Sequence, residues 1–193
     1  MTQFAITYDN ALILINKEHN EIQLERKLEG MNIISIAQDP NAKDILYCGT
    51  FDRGLWKSVD KGQNWFPIGT RFTYNSPFKH DDIHMTSITA VTVIDTGNHH
   101  SSVLVGTEPS ALFISDDQGD SFELLTDFSH IAGKEHWFFP PRPHTHHVKW
   151  FDTNTKSSNV INLTIEAGGF IQSTDSGQHW LAPQTQDTPI DIH

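Results

Sequence analysis

Two glutamates of this 193-residue chain occupy equivalent points of a repeated pattern, and they have the chemistry of an acid and a base. Glu108 stands seven residues before Ser115, and Glu166 stands seven residues before Ser173; both serines begin a similar octapeptide. Hydrolysis of a glycosidic bond needs one carboxylic acid to protonate the leaving oxygen and a second carboxylate as base or nucleophile. Glu108 and Glu166 are therefore our candidates for catalysis.

Histidines form a second group of chemically capable residues. His144 and His146 alternate along one segment, and His147 follows directly. Alternating imidazoles of an extended segment lie on one side of it and can share a Zn²⁺ or similar ion. A divalent metal is thus one hypothesis, with His84, Asp82 or Glu166 as a further ligand. The other hypothesis is that these histidines bond a ligand or line a channel, and no motif in the chain requires a cofactor.

Three octapeptides of the form Ser-x-Asp-x-Gly-x-x-aromatic recur at intervals of 57 and 58 residues, which indicates a repeat architecture. The Asp can accept bonds from backbone N–H groups of a tight turn, the Gly tolerates a positive φ, and the aromatic residue anchors the next strand. Because the same group recurs in each unit, we interpret it as structural rather than catalytic. Its members are Ser58, Asp60, Gly62 and Trp65; Ser115, Asp117, Gly119 and Phe122; and Ser173, Asp175, Gly177 and Trp180.

The residues around each octapeptide predict four short strands per unit. Two apolar runs separated by a short polar break precede it and are typical of a hairpin, with one strand candidate upstream and another downstream. Four strands at a fixed period, without helical periodicity, predict an all-β fold, a β-propeller of four-stranded antiparallel blades. The predicted units are a partial blade at 1–30 that supplies later strands, blades at 31–69, 85–126 and 147–183, and the start of a further blade at 184–193.

Composition narrows the range of partners. A net charge of -11 would repel a phosphate backbone, so we expect no nucleic acid as a partner. The sequence has neither a basic segment leading into an apolar run nor an apolar run long enough to span a membrane. We therefore expect a cytoplasmic protein that does not bind membranes, with its one cysteine, Cys48, in the core.

The octapeptides resemble the Asp-boxes, or BNR repeats, of sialidases and other glycoside hydrolases, sortilin-type receptors and photosystem II assembly factors. The segment from Phe138 to His147 is similar to one in uncharacterised bacterial BNR-repeat proteins that are often labelled glycosyl hydrolase. The resemblance covers about residues 31–183 and implies a β-propeller. It does not extend to sialidase activity, because the chain has four arginines and lacks the Arg-Ile-Pro signature that opens that family.

The resemblance also implies which residues share a face. In such propellers the Asp-box turns lie on one rim, and the other hairpin turns and the connections between blades lie on the opposite rim, where functional loops are expected. We expect a carbohydrate or small polar ligand to bind at that opposite rim, near Glu108 and Glu166. The contrasting hypothesis is a non-catalytic propeller that acts as a scaffold for protein–protein assembly. The residues expected to contact a ligand are Arg53, Arg71, His84, Trp137, Arg142, His144, His146 and His147.

About three complete blades and a partial one make roughly half a ring. An open half-ring would leave strand edges and blade faces in water. We therefore expect either that the sequence is part of a longer propeller or that a homodimer of two copies completes the ring.

Overall fold

The computed structural model describes residues 2–51, 53–68, 87–137, 145–153, 159–166 and 168–182. None of the helices in these ranges is long and apolar enough to cross a membrane. Two short 3-10 helices span Thr126–His130 and Lys134–His136. The strands of these ranges are β1 (Thr2–Tyr8), β2 (Ala11–Glu18), β3 (Glu21–Lys27), β4 (Ile33–Gln38), β5 (Leu46–Thr50), β6 (Leu55–Ser58), β7 (Phe66–Ile68), β8 (Ser87–Gly97), β9 (His100–Glu108), β10 (Leu112–Ser115), β11 (Glu123–Leu124), β12 (His147–Thr153), β13 (Ile161–Glu166) and β14 (Gly169–Ser173).

The strands form four antiparallel sheets whose strands pair in chain order. The first sheet is β1-β2-β3, the second β4-β5-β6-β7, the third β8-β9-β10-β11 and the fourth β12-β13-β14. In the fourth sheet, an isolated bridge from Gln172 to Leu181 adds a further pairing at the edge. The predicted fold class, an all-β partial propeller, is confirmed.

The hydrophobic core lies between consecutive sheets. Successive side chains of a strand point to opposite faces, so the middle strands contribute to two layers. On β5, Cys48 packs toward the first sheet and Tyr47 packs toward the third. On β9, Leu104 belongs to the buried cluster that also contains Leu163 of the fourth sheet. This is why all five residues of β5 are buried and why its residues 46–49 are apolar.

The inner strands β1, β4, β8 and β12 line one groove of about 530 Å³. The position of β1 corrects our interpretation of the N-terminal piece as the later strands of a blade, because β1 is the inner strand of its sheet. Hairpin patterning shows that strands are neighbours, but it carries no information on which of them faces the groove.

The octapeptide turns lie at one end of the sheets and are closed by local hydrogen bonds. In the second sheet, Ser58 Oγ donates to Asp60 Oδ1 over 2.8 Å and accepts from the Gly62 N–H over 2.8 Å. The Asn64 N–H donates to Asp60 Oδ1, also over 2.8 Å. Equivalent bonds recur in the octapeptides of the third and fourth sheets. Hydrogen bonds from the Asn64 backbone and side chain lower the pKa of Asp60 to about 2.

The turns also hold neighbouring sheets together. Tyr47 Oη and Lys57 Nζ, both of the second sheet, donate to the Gln118 carbonyl in the octapeptide of the third sheet, over 3.2 and 2.8 Å. In the fourth sheet, the Trp180 N–H donates to Asp127 Oδ2 of the preceding 3-10 helix over 2.8 Å. Each turn therefore closes its own hairpin and connects it to the preceding unit.

We predict that Ser115→Ala lowers the free energy of unfolding by about 1 to 3 kcal/mol, because it leaves buried groups without their partners. Ser115 is buried, donates to Asp117 Oδ1 over 2.8 Å and accepts from the Gly119 N–H over 2.7 Å. Urea denaturation at pH 7 measures the effect. Thr174→Ala, at an exposed position of the octapeptide in the fourth sheet, is the control and should change stability by no more than about 0.5 kcal/mol. Equal losses in the two variants would contradict the structural role of the serine.

Candidate functional site

The candidate site lies at the end of the sheets opposite the octapeptide turns. Antiparallel connectivity places the β9–β10 and β13–β14 turns there, together with the start of β12. Glu108 is the last residue of β9, and Glu166 is the last residue of β13. His147 begins β12 and is paired in register with Glu166. The packing of the third sheet on the fourth therefore brings residues of two repeats to one point.

A single imidazole lies between the two glutamates. His147 Nε2 is 2.7 Å from Glu166 Oε2, and its Nδ1 is 3.6 Å from Glu108 Oε2. Thr145 Oγ1 donates to Glu108 Oε1 over 3.0 Å, and Lys149 Nζ donates to Glu166 Oε2 over 3.1 Å. We call these five residues the rim cluster. It connects the third sheet to the fourth through charged and polar groups.

Three members of the rim cluster are largely removed from water, whereas the Lys149 side chain is 44% exposed. The side chains of Glu108, His147 and Glu166 are 6%, 11% and 9% exposed. Burial lowers the pKa of His147, while the two neighbouring carboxylates oppose that change. The imidazole is therefore mainly neutral near pH 7 and can donate one N–H to Glu166.

The positions of the two carboxylates do not suit direct hydrolysis. The two carboxylates face opposite sides of the His147 ring, so a sugar bond cannot lie between them while the ring is in place. What the cluster offers is a set of oriented acceptors on Glu108 and Glu166 beside the Lys149 donor. Hydroxyl groups, which both donate and accept, suit such a mixed set.

A second group of side chains lies next to the rim cluster. The Trp137 ring packs edge-on against His146, with centroids 5.5 Å apart, and tilted against Phe128, with centroids 6.0 Å apart. Lys134 Nζ lies 4.3 Å from the Phe128 ring centroid and donates to the Ser110 carbonyl over 3.1 Å. Burial lowers the pKa of His146 to about 4 and that of Lys134 to about 8. These contacts hold the Trp137 ring at the edge of the core.

Of the remaining residues that we expect to contact a ligand, only Arg53 lies within the described ranges. Arg53 is exposed in the β5–β6 turn, at the same end of the second sheet. Arg71, His84, Arg142 and His144 lie outside the described residues. Within the ranges given above, no group of three or more His, Cys, Asp or Glu side chains is arranged to hold a metal ion. A metal bound through His144 and His146 stays a prediction.

Sequence reasoning missed Thr145 and Lys149 as members of the cluster. Both stand two residues from His147, and alternation along an extended segment places such residues on the same side. Lys134 was missed as well, and no signal pointed to it, because its contacts with Phe128 and Ser110 depend on how a short helix folds back over the third sheet.

Comparison with known proteins identifies the fold. No family model and no curated protein matches the sequence. YCF48 from Cyanidioschyzon merolae matches with a TM-score of 0.54 and 11% identity, over 78% of this chain and 39% of that one. An ancestral GH74 enzyme matches with a TM-score of 0.56 and 15% identity, over 96% and 24%. These neighbours are β-propellers.

The chain spans less than two thirds of the length of either structure, and at such low identity the likeness shows the propeller fold alone. AztD from Citrobacter koseri, with a TM-score of 0.49 and 13% identity over 99% of this chain and 48% of that one, is a weaker match.

We predict that stability falls as the pH drops from 6.5 toward 4, in part because of His146. Its pKa is about 4 in the folded chain and 6.5 as a free side chain, so between these values the unfolded state binds the extra proton. The Lys134 ammonium and the His147 ring add to the burial that causes this shift. His146→Gln should show a shallower loss of stability in urea denaturation at pH 7.5, 6 and 5.

The control is His136→Gln, because the His136 side chain is 82% exposed. It should keep the slope of the parent protein. An unchanged slope in His146→Gln would show that His146 is protonated alike in the folded and unfolded states.

Proposed function

We propose that this chain belongs to the Asp-box, or BNR-type, propellers and that its rim cluster recognises a carbohydrate or small polar ligand. The observation that carries the proposal is the burial of Glu108, His147 and Glu166 together at the rim opposite the octapeptide turns. Apolar residues of similar size would connect two sheets without the cost of removing charges from water. A buried ionisable cluster at this rim is better explained by a binding role.

The chemistry of the cluster supports a hydroxyl-rich ligand. Glu108 and Glu166 supply acceptors, and Lys149 and Thr145 supply donors. A sugar has hydroxyls that can bond either kind of group without bringing in a charge. A cation would be drawn to the carboxylates but would meet the Lys149 ammonium beside Glu166.

The geometry supports binding of the ligand without its hydrolysis. The two carboxylates have the residue types that glycoside hydrolysis needs, but the His147 ring lies between them. The likeness to a GH74 enzyme supports a fold that can carry such a site, and no more. The proposal assigns no role to a cofactor, and a cytoplasmic location remains our expectation.

We predict that Glu108→Gln and Glu166→Gln each weaken binding of a neutral oligosaccharide by about tenfold or more, because hydrogen bonds to a charged acceptor are stronger than those to an amide. Calorimetric titration with cellohexaose, xylohexaose, maltohexaose and chitohexaose measures the affinity, and product analysis of the same mixtures measures turnover. Glu135→Gln is the control, because its side chain is 70% exposed. Failure of all four sugars to bind, or equal binding by both variants and the parent, would refute the proposal.

A second candidate, protein–protein assembly, is favoured by the outer face of the first sheet, which is the face that points away from the second sheet. This face carries exposed apolar side chains on β1 and β3, and contiguous apolar patches of this kind mark interaction sites. The patch consists of Phe4, Ile6, Tyr8, Ile22 and Leu24, which are 56%, 48%, 69%, 63% and 67% exposed. We propose a second copy of the chain as its partner.

We predict that the parent chain has a mass near twice 21.8 kDa by light scattering and that the double variant Ile22→Thr, Leu24→Thr has a mass near 21.8 kDa. The two threonines keep β-propensity while removing apolar area from the patch. Leu181→Thr is the control, since Leu181 is 70% exposed on the fourth sheet. A monomeric parent would contradict self-association through the patch.

A further inference from the structure

Consecutive sheets come into close contact at a recurring notch of small residues. In the second sheet, Ser35 of β4 pairs with Gly49 of β5, directly after a register irregularity in β4. A Cβ atom added to Gly49 would lie 2.7 Å from Ile88 Cγ2 of the third sheet. The notch is therefore the place where the second sheet receives a branched side chain of the next one.

The third sheet repeats this arrangement. Ala90 of β8 pairs with Gly106 of β9, again directly after a register irregularity. A Cβ atom added to Gly106 would lie 2.5 Å from Val148 Cβ of the fourth sheet. Ala90 is 3% exposed, so the fourth sheet covers this notch completely.

The fourth sheet has no notch at the equivalent place. There Trp150 of β12 pairs with Thr164 of β13, directly after the same irregularity. Trp150 is 66% exposed. A further sheet that packed as the third and fourth do, from this chain or from a second copy, would push its branched side chain into the indole. The face of the fourth sheet that points away from the third, called its outer face below, therefore does not repeat the close contact made by Gly49 and Gly106.

Polar side chains continue the same face beside Trp150. Asn162 Nδ2 donates to Asp152 Oδ2 over 3.3 Å, and Gln172 Nε2 donates to Asn162 Oδ1 over 2.8 Å. The three residues lie in register across β12, β13 and β14. These bonds fix which way both amides point, while each amide nitrogen has a second N–H and Asp152 a second oxygen with which to bond a ligand.

This face adjoins the rim cluster and the groove. Lys149, the neighbour of Trp150 in the chain, donates to Glu166 of the rim cluster over 3.1 Å. The pairing of Trp150 with Thr164 lies one step along the sheet from the pairings of Val148 and His147. Trp150 also lines the groove formed by the inner strands. A ligand chain held at the rim cluster can therefore continue over Trp150.

We propose that the outer face of the fourth sheet is a carbohydrate subsite in which a pyranose ring stacks on Trp150 and bonds Asp152, Asn162 and Gln172. A pyranose has an apolar C–H face and hydroxyls around its edge, which match an exposed indole beside oriented amides and a carboxylate. The inference rests on the proposed function and names where a further sugar unit lies.

The test uses Trp150→Ala, Trp150→Phe and Asn162→Ala in titrations with the same four hexasaccharides. Trp150→Ala and Asn162→Ala should each weaken binding about tenfold, and Trp150→Phe, which keeps a smaller ring, should lose less. Phe66→Ala, at an aromatic residue 42% exposed on the second sheet and outside both proposed binding surfaces, is the matched control and should bind as the parent does. In the parent, sugar binding should shift the Trp fluorescence to shorter wavelength, and this shift should shrink in Trp150→Phe.

The outcomes separate the subsite from the proposed function. If Trp150→Ala binds as the parent does while Glu108→Gln binds weakly, the subsite is refuted and the rim cluster stands. If no hexasaccharide binds, both are refuted. If Trp150→Ala lowers the mass in solution from dimer to monomer, a second copy covers this face and the subsite is refuted. If Trp150→Ala does not fold, Trp150→Phe is the test. Weaker binding with a smaller fluorescence shift in this variant supports the subsite, and parent-like values of both refute it.

Discussion

The face-to-face packing of consecutive sheets is the constraint on which the rest of the structure depends. Middle strands are buried on both faces, so residues 46–49 of β5 and 103–106 of β9 are apolar, and only small residues fit where the next sheet comes close. Gly49 and Gly106 meet this requirement, since a Cβ atom at either would overlap Ile88 or Val148 of the next sheet. The octapeptide turns then tie the far end of each hairpin to the preceding unit, as the Tyr47 bond to the Gln118 carbonyl shows.

The same packing creates the candidate site. Glu108 ends a strand of the third sheet, whereas His147 and Glu166 belong to the fourth, and they meet only because the two sheets pack closely. Burial there keeps the imidazole mainly neutral and gives the carboxylates fixed partners. The rim cluster is therefore both a polar joint between sheets and an oriented set of hydrogen-bonding groups, two roles that a single substitution would disturb together.

The two end faces of the described sheets differ in chemistry. The first sheet presents an apolar surface that includes Phe4 and Leu24, whereas the fourth presents Trp150 among the amides of Asn162 and Gln172. An apolar face gains most from a protein partner, because such a partner removes its area from water. A face of oriented polar groups around one indole suits a polar ligand better. This difference is why our two proposals assign a different kind of partner to each face.

The sequence by itself determined the repeat, its strands and its turns. The bonds of Ser58 and Asp60 close over a few residues, so the octapeptide pattern was sufficient to predict both the turn and the all-β fold. The equivalent spacing of Glu108 and Glu166 likewise followed from the period of the repeat.

Only the tertiary structure decided which strand lines the groove, that His147 lies between the glutamates, and that Trp150 stands where the second and third sheets have a notch of small residues. The bond of Thr145 to Glu108 joins residues 37 positions apart. Such contacts depend on how one sheet packs on the next, which local patterning does not encode.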